Sequence, residues 1–362
     1  MKIFLVDDRE VEGWLRRLAE DGEVYWPQPL GKTSYAYARL RRRSPLRLDR
    51  LDAAPDDKPF RASACVVPPG RLLAPMEELL YRFERDDNGG YRFIPCLDQG
   101  ERIIAGIRPC DLKAIHLMDT VNGDDVPDAH YLTRRAHTAL VASNCLQPCD
   151  EHCFCQAADS LGWREGADIF LTPQADGQQL VECLTPRGEA LCQDAGFAPC
   201  EDGETRRNDA EARRPQPFGR QFDAPLAEVM AAAAETWDSP VWDKHVERCF
   251  SCGTCNLVCP TCYCFDMRDD LDLDQPGCGD RSRCADACML PEFGEVAGGH
   301  NFRAAPAARQ RHRVKRKLAY LPGRYADGSF CVGCGRCGHQ CTVDIDIFHI
   351  ANDLVTAQGN KP

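Results

Sequence analysis

Four cysteines, Cys249, Cys252, Cys255 and Cys259, recur after a gap of about 70 residues as Cys331, Cys334, Cys337 and Cys341. Both runs read C-x2-C-G-x-C-x3-C, with Gly253 and Gly335 at the same place. A [4Fe–4S] cube needs four thiolates around it, and C-x2-C-x2-C lets one short loop cover three iron corners. The fourth cysteine of such a run reaches the other cluster in two-cluster ferredoxins. The spacing therefore predicts one cluster on Cys249, Cys252, Cys255 and Cys341, and a second on Cys331, Cys334, Cys337 and Cys259. Pro260 directly after Cys259 ends amide donation and opens a turn or helix; Thr342 stands in the matching place after Cys341. A single run would serve zinc as well, but two matched runs of four favour iron and sulfide.

The wider cysteine pattern agrees. The chain has 362 residues and 23 cysteines, of which thirteen lie from Cys249 to Cys341 and four from Cys145 to Cys155. Nothing at Met1–Arg9 resembles a secretory leader, and there is no apolar run of 18 residues or more. A cytoplasmic chain with reduced thiols is expected, in which clustered cysteine means metal chemistry. Cys65, Cys96, Cys183, Cys192 and Cys200 are scattered and read as small buried hydrophobes. Cys262, Cys264, Cys278, Cys284 and Cys288 exceed the eight ligands and read as packing beside the cubes. The formal net charge of −12 argues against a nucleic-acid partner.

A second constellation lies upstream. Arg102–Ile107 and Thr138–Ala142 read as buried strands, and each runs straight into cysteine: Cys110 after the first, Cys145 after the second. Parallel strands ending side by side would bring both to the C-terminal edge of a sheet, the usual binding edge of α/β folds. Cys153 and Cys155 could complete four thiolates, with Cys149 a rival. On spacing alone this is a third [4Fe–4S] site, a redox dithiol or a zinc site.

Around these sites the chain reads as a mixed α/β domain over residues 1–223 and a dicluster ferredoxin-like domain, mainly helix and loop, over 224–362. Helices are expected at Arg9–Glu20, from Pro75 through Met76, Leu79, Leu80 and Phe83, and at Pro225–Thr236; strands at Ala167–Leu171 and Gln179–Val181. Residues 201–223 read as a polar linker and Asp353–Pro362 as a fraying tail. The basic run Arg303–Lys317 reads either as a solvated face or as a docking face for an acidic neighbour. Residues 333–338 also satisfy G-x-G-x-x-G, but no βαβ context surrounds them and close approach to a cluster accounts for the glycines. No catalytic motif occurs, so no catalytic residue is assigned. The open alternatives in other classes are a thiol–disulfide enzyme using the N-terminal cysteines and a structural zinc protein.

These residues resemble the β subunit of cytoplasmic sulfhydrogenase-type [NiFe] hydrogenases, closely similar to the electron-transfer subunit of anaerobic sulfite reductase. The resemblance is carried by Arg108–Ile115, Cys153–Cys155, Cys249–Cys264 with its Cys-Pro-Thr-Cys-Tyr-Cys core, Val296–Arg303 and Phe330–Cys337. It implies an electron relay within a complex. A flavin subunit carrying FAD would exchange electrons with NAD(P)H, and this chain would pass them to the small and large [NiFe] subunits, or to a siroheme subunit in the sibling complex. It also implies the third cluster on Cys110, Cys145, Cys153 and Cys155, with Cys149 an addition. His300 is assigned to the loop and not to a ligand set.

Overall fold

The computed structural model describes residues 2–30, 34–41, 65–174, 177–326 and 328–359. A seven-stranded sheet is built from β1 (Lys2–Asp7), β2 (Glu23–Leu30), β3 (Ser34–Arg39), β6 (Arg102–Ile107), β7 (Thr138–Ser143), β8 (Ile169–Pro173) and β9 (Gln178–Cys183), in the order β1-β9-β8-β7-β6-β2-β3. Its centre, β2 through β8, is parallel. Helix α1 (Asp8–Asp21) starts on a capping box: Asp7 accepts from the Arg9 amide while Glu10 accepts from the Asp7 amide. Its buried stripe of Val11, Trp14 and Leu15 covers one face of the sheet together with Val24, Val141 and Leu171. The other face, with Ile104, Leu140 and Phe170, is covered by Leu112 and Ile115 of α2 (Pro109–Gly123) and Tyr131 of α3 (Ala129–Ala136).

Four sequence expectations are corrected here. The apolar residues from Met76 to Phe83 form strand β4 (Glu77–Arg85), because tertiary pairing with β5 (Tyr91–Pro95) and β11 (Gly279–Ala285) overrides the helical spacing. Together with β10 (Phe265–Leu271) these make a second, antiparallel sheet in the order β10-β11-β4-β5. That sheet joins strands from both sides of residue 223, and the region between the two cysteine runs holds a hairpin rather than only helix and loop. Within the expected linker, Gly203–Ala212 is helical, and Phe218 is buried at 1% exposure. Of the expected tail, the residues up to Gly359 belong to a helix, Ile347–Gly359, whose Ile350 and Leu354 are fully buried, and its last three lie outside the described residues. It packs against the alanine-rich helix Leu226–Glu235, where the small side chains of Ala232 and Ala233 allow close approach.

Candidate iron–sulfur sites

The parallel arrangement places the first site. β6 and β7 lie side by side, and their C-terminal ends deliver Cys110 and Cys145 to the same sheet edge. The turn at Cys149–Cys155 folds over them. Asp150 fixes it by accepting from the amides of His152 and Cys153, at 2.8 and 3.1 Å. Cys110, Cys145, Cys149, Cys153 and Cys155 then line one void, closed by Pro109, Leu161 and Phe218. Cys149 is therefore brought in with the four expected thiols. Arg108 donates to the Cys145 sulfur at 3.7 Å. The Cys155 thiol and the amide beside Asp150 lower the Cys153 thiol to about 7, whereas burial pushes Cys110 far up.

The two C-terminal runs share a backbone conformation as well as a spacing. Gly253 and Gly335 are left-handed, with φ of 74° and 76°, and each opens a single helical turn, Thr254–Leu257 and Arg336–His339. The matched positions Ser251 and Gly333 are also left-handed, at 53° and 65°. Such turns aim successive amides into the concavity that a cube would occupy. Cys331 and Cys334 lie close enough to Cys259 for its charge to raise their thiols. Cys255 interacts with Cys249, and Arg248 donates to Val343 O at 3.3 Å, which ties the Cys249 loop to that of Cys341. Burial holds the Cys255 and Cys334 thiols up at about 12, so ligation there must displace their protons. Among the described residues no three His, Cys, Asp or Glu side chains converge on a single ion.

The N-terminal site and the second C-terminal run touch, which the spacing did not reveal. Cys334 lines the same void as Cys110 and Cys145. The Phe154 amide donates to Gly333 O at 2.8 Å and Ser160 to Val332 O at 2.6 Å. A Cβ on Gly333 would lie 2.5 Å from Phe154 O, and one on Gly335 would lie 2.7 Å from the His152 carbonyl carbon. These glycines thus serve an approach to the Cys149–Cys155 turn. Gly333→Ala should consequently part the two loops; we expect a fall in thermal stability and weakened iron retention, read as iron per chain after desalting. An unchanged melting temperature with full iron would show that the contact is not needed.

The basic run is corrected in part: four of its side chains are interior, while Arg303, Arg311 and Arg316 are half-buried. Arg309, Arg313, Lys315 and Lys317 are each 5% exposed or less. Lys315 donates to the carbonyls of Ala233 and Ala234 at the end of the Leu226–Glu235 helix, and Lys317 to both oxygens of Thr261. Burial alone would push Lys317 down, but the sulfurs of Cys259 and Cys262 hold it up; those of Cys255 and Cys337 do the same for Arg313. The signal that could have located this run is the apolar spacing of Val314 and Leu318 within it. His300 sits in an exposed loop with its ring against Phe302.

Residues 248–345, which include all eight cysteines of the repeat, match the 4Fe-4S dicluster domain family. Over 346 residues the sequence is 28% identical to sulfhydrogenase 2 subunit beta of Pyrococcus furiosus, covering 94% of this chain and 95% of that one. That similarity bears out the family resemblance drawn from the motifs. No solved structure matches.

Proposed function

We propose that this chain, similar from end to end to a hydrogenase β subunit and carrying a dicluster domain, is the iron–sulfur electron-transfer subunit of a multisubunit NAD(P)-linked [NiFe] hydrogenase. In this reading Cys249, Cys252, Cys255 and Cys341 hold one [4Fe–4S] cluster, Cys331, Cys334, Cys337 and Cys259 a second, and Cys110, Cys145, Cys153 and Cys155 a third. When bound, such clusters supply one-electron transfer.

The observation that carries the reading is continuity. Cys110 and Cys145 share a void with Cys334, Cys331 and Cys334 interact with Cys259, and Cys337 with Cys255. At the far end Cys252 is exposed beside Phe250, which is 72% exposed, so this end of the path opens at the surface. The buried cations fit as well. A [4Fe–4S]²⁺ unit with four thiolates carries about two negative charges, and Arg313 and Lys317 offset charge where water cannot. The remaining side chains exclude water and keep the loops rigid.

The partners in this reading are a flavin subunit that exchanges electrons with NAD(P)H and the small and large hydrogenase subunits. Among the described residues no helix is long and apolar enough to cross a membrane. Tagging the chain in its native host and purifying it anaerobically tests the assembly. Nickel and FAD in the complex are expected; siroheme without nickel would replace this reading with an anaerobic sulfite reductase.

A further inference from the structure

Three cysteines outside the three ligand sets gather on one side of the Cys259 turn. Asn256, 1% exposed, points its amide nitrogen at the Cys288 sulfur, 3.3 Å away, and at the Cys262 sulfur, 3.5 Å away. Cys262 is hydrogen-bonded to the ligand Cys259, and Cys264 to Cys288. The backbone fixes that second pair, because the Asp286 amide donates to Cys264 O at 2.9 Å at the open end of the β10–β11 hairpin. Three thiols fall one short of the four that a further cube needs; Cys284 does not complete them, because Arg283 and Ala285 line the cleft beside Cys264 and the residue between them on β11 faces the opposite side of the sheet. Cys278 cannot supply the fourth: it lies at the other end of the hairpin, roughly 20 Å away at strand rise.

Cys264 also lines a cleft. Its walls are Ile115, Met118 and Tyr131 from α2 and α3, facing Tyr263, Phe265 and Ala285. The mouth is braced by Arg283, which pairs with Glu78 at 2.7 Å and with Asp128. Cys288 lies behind Cys264 at 2% exposure. Cys262 lines the cleft too but is hydrogen-bonded to the proposed ligand Cys259, whereas Cys264 is a reachable thiol backed by a sheltered one in contact with it, the arrangement that thiol–disulfide exchange requires.

We propose that Cys264 and Cys288 form a redox-active dithiol that exchanges with small, largely apolar disulfides entering this cleft. The Cys264 sulfur attacks one sulfur of R–S–S–R. One S–S bond breaks, a mixed disulfide forms, and the first RS⁻ leaves with the Cys264 proton as RSH. The Cys288 sulfur then attacks Cys264, closing the protein disulfide, and the second RS⁻ takes the Cys288 proton. The dithiol is oxidised by two electrons and the substrate disulfide is reduced by two. The reverse reaction with a dithiol restores the pair.

The inference rests on the ligand sets proposed above only in leaving these two thiols free. The test treats the full chain, purified anaerobically, with 2-hydroxyethyl disulfide and maps peptides without reduction. A Cys264–Cys288 linked peptide is expected, with iron per chain unchanged. The Cys264→Ser and Cys288→Ser variants should both lose the link, and Cys288→Ser should trap the hydroxyethyl adduct on Cys264. Cys183 and Cys192 are also hydrogen-bonded to one another, but both are buried in the core under α1 and should stay unlinked. Absence of both link and adduct overturns the proposal. So does a loss of about four irons in Cys264→Ser, which would make that residue a cluster ligand. Low iron in the unmodified chain would count against the relay reading, and the linked peptide would be judged separately.

Discussion

Replacing Arg336 with methionine should destabilise the chain by roughly 3–5 kcal/mol, the usual consequence of stranding a buried charge. Arg336 lies between Cys334 and Cys337, and Asp111 directly follows Cys110. Their side chains meet in a two-pronged ion pair at 2.6 and 2.7 Å, with exposures of 3% and 1%. The remaining Arg336 nitrogen, Nε, donates to Cys65 O at 2.6 Å. Without the guanidinium, Asp111 would keep only the first turn of α2 as a counter-charge. A helix N-terminus supplies about 0.3–1 kcal/mol, and about 2 kcal/mol in favourable buried settings. The deficit is therefore set by the lost partner.

The double variant Asp111→Leu with Arg336→Met removes both charges and should recover most of the loss, since two well-packed apolar groups can match a buried pair. Thermal unfolding of both variants, together with iron retained per chain, measures the coupling. If Arg336→Met alone changes stability by less than about 1 kcal/mol, well short of a buried pair's usual range, the ion pair does not bind the two cysteine sites together.

The second large effect concerns iron. Cys110→Ser should lower the content from about twelve irons per chain to about eight, because one four-iron unit loses a ligand. Cys149→Ser should leave it near twelve. Five thiols face a site that needs four, and the family resemblance makes Cys149 the added one. Iron and acid-labile sulfide assays on both variants decide. Four irons lost from Cys149→Ser and none from Cys155→Ser would exchange those two residues in the ligand set. About eight irons in the unmodified chain would remove the third cluster altogether.

Much of this was legible in the residues because ligand spacing is local. A cube-binding loop is short, so C-x2-C-G-x-C-x3-C carries its own geometry, and the repeat reappears as matched left-handed positions at Ser251 with Gly333 and Gly253 with Gly335. The strands leading to Cys110 and Cys145 were readable for a similar reason: a buried parallel strand is a continuous apolar run. The Gly22 stop and the Asp7 cap of α1 lie within a few residues of what they terminate.

The remainder depended on contacts distant in sequence. Met76–Phe83 has helical spacing and is a strand, because one of its two partners lies far along the chain at Gly279–Ala285 and the strand hydrogen bonds outweigh a weak local preference. Charge was misleading in the same way: the Arg and Lys residues near 303–317 look solvated from their types alone, yet Arg313, Lys315 and Lys317 are buried against thiols and helix-end carbonyls. By itself the sequence determined which cysteines can act together as ligands within each run. Only the tertiary structure decided that the N-terminal cysteines and the second run share one wall, with Arg336 and Asp111 locked across it. Neither side of that contact carries a periodicity or motif that names the other; burying their opposite charges makes the meeting specific.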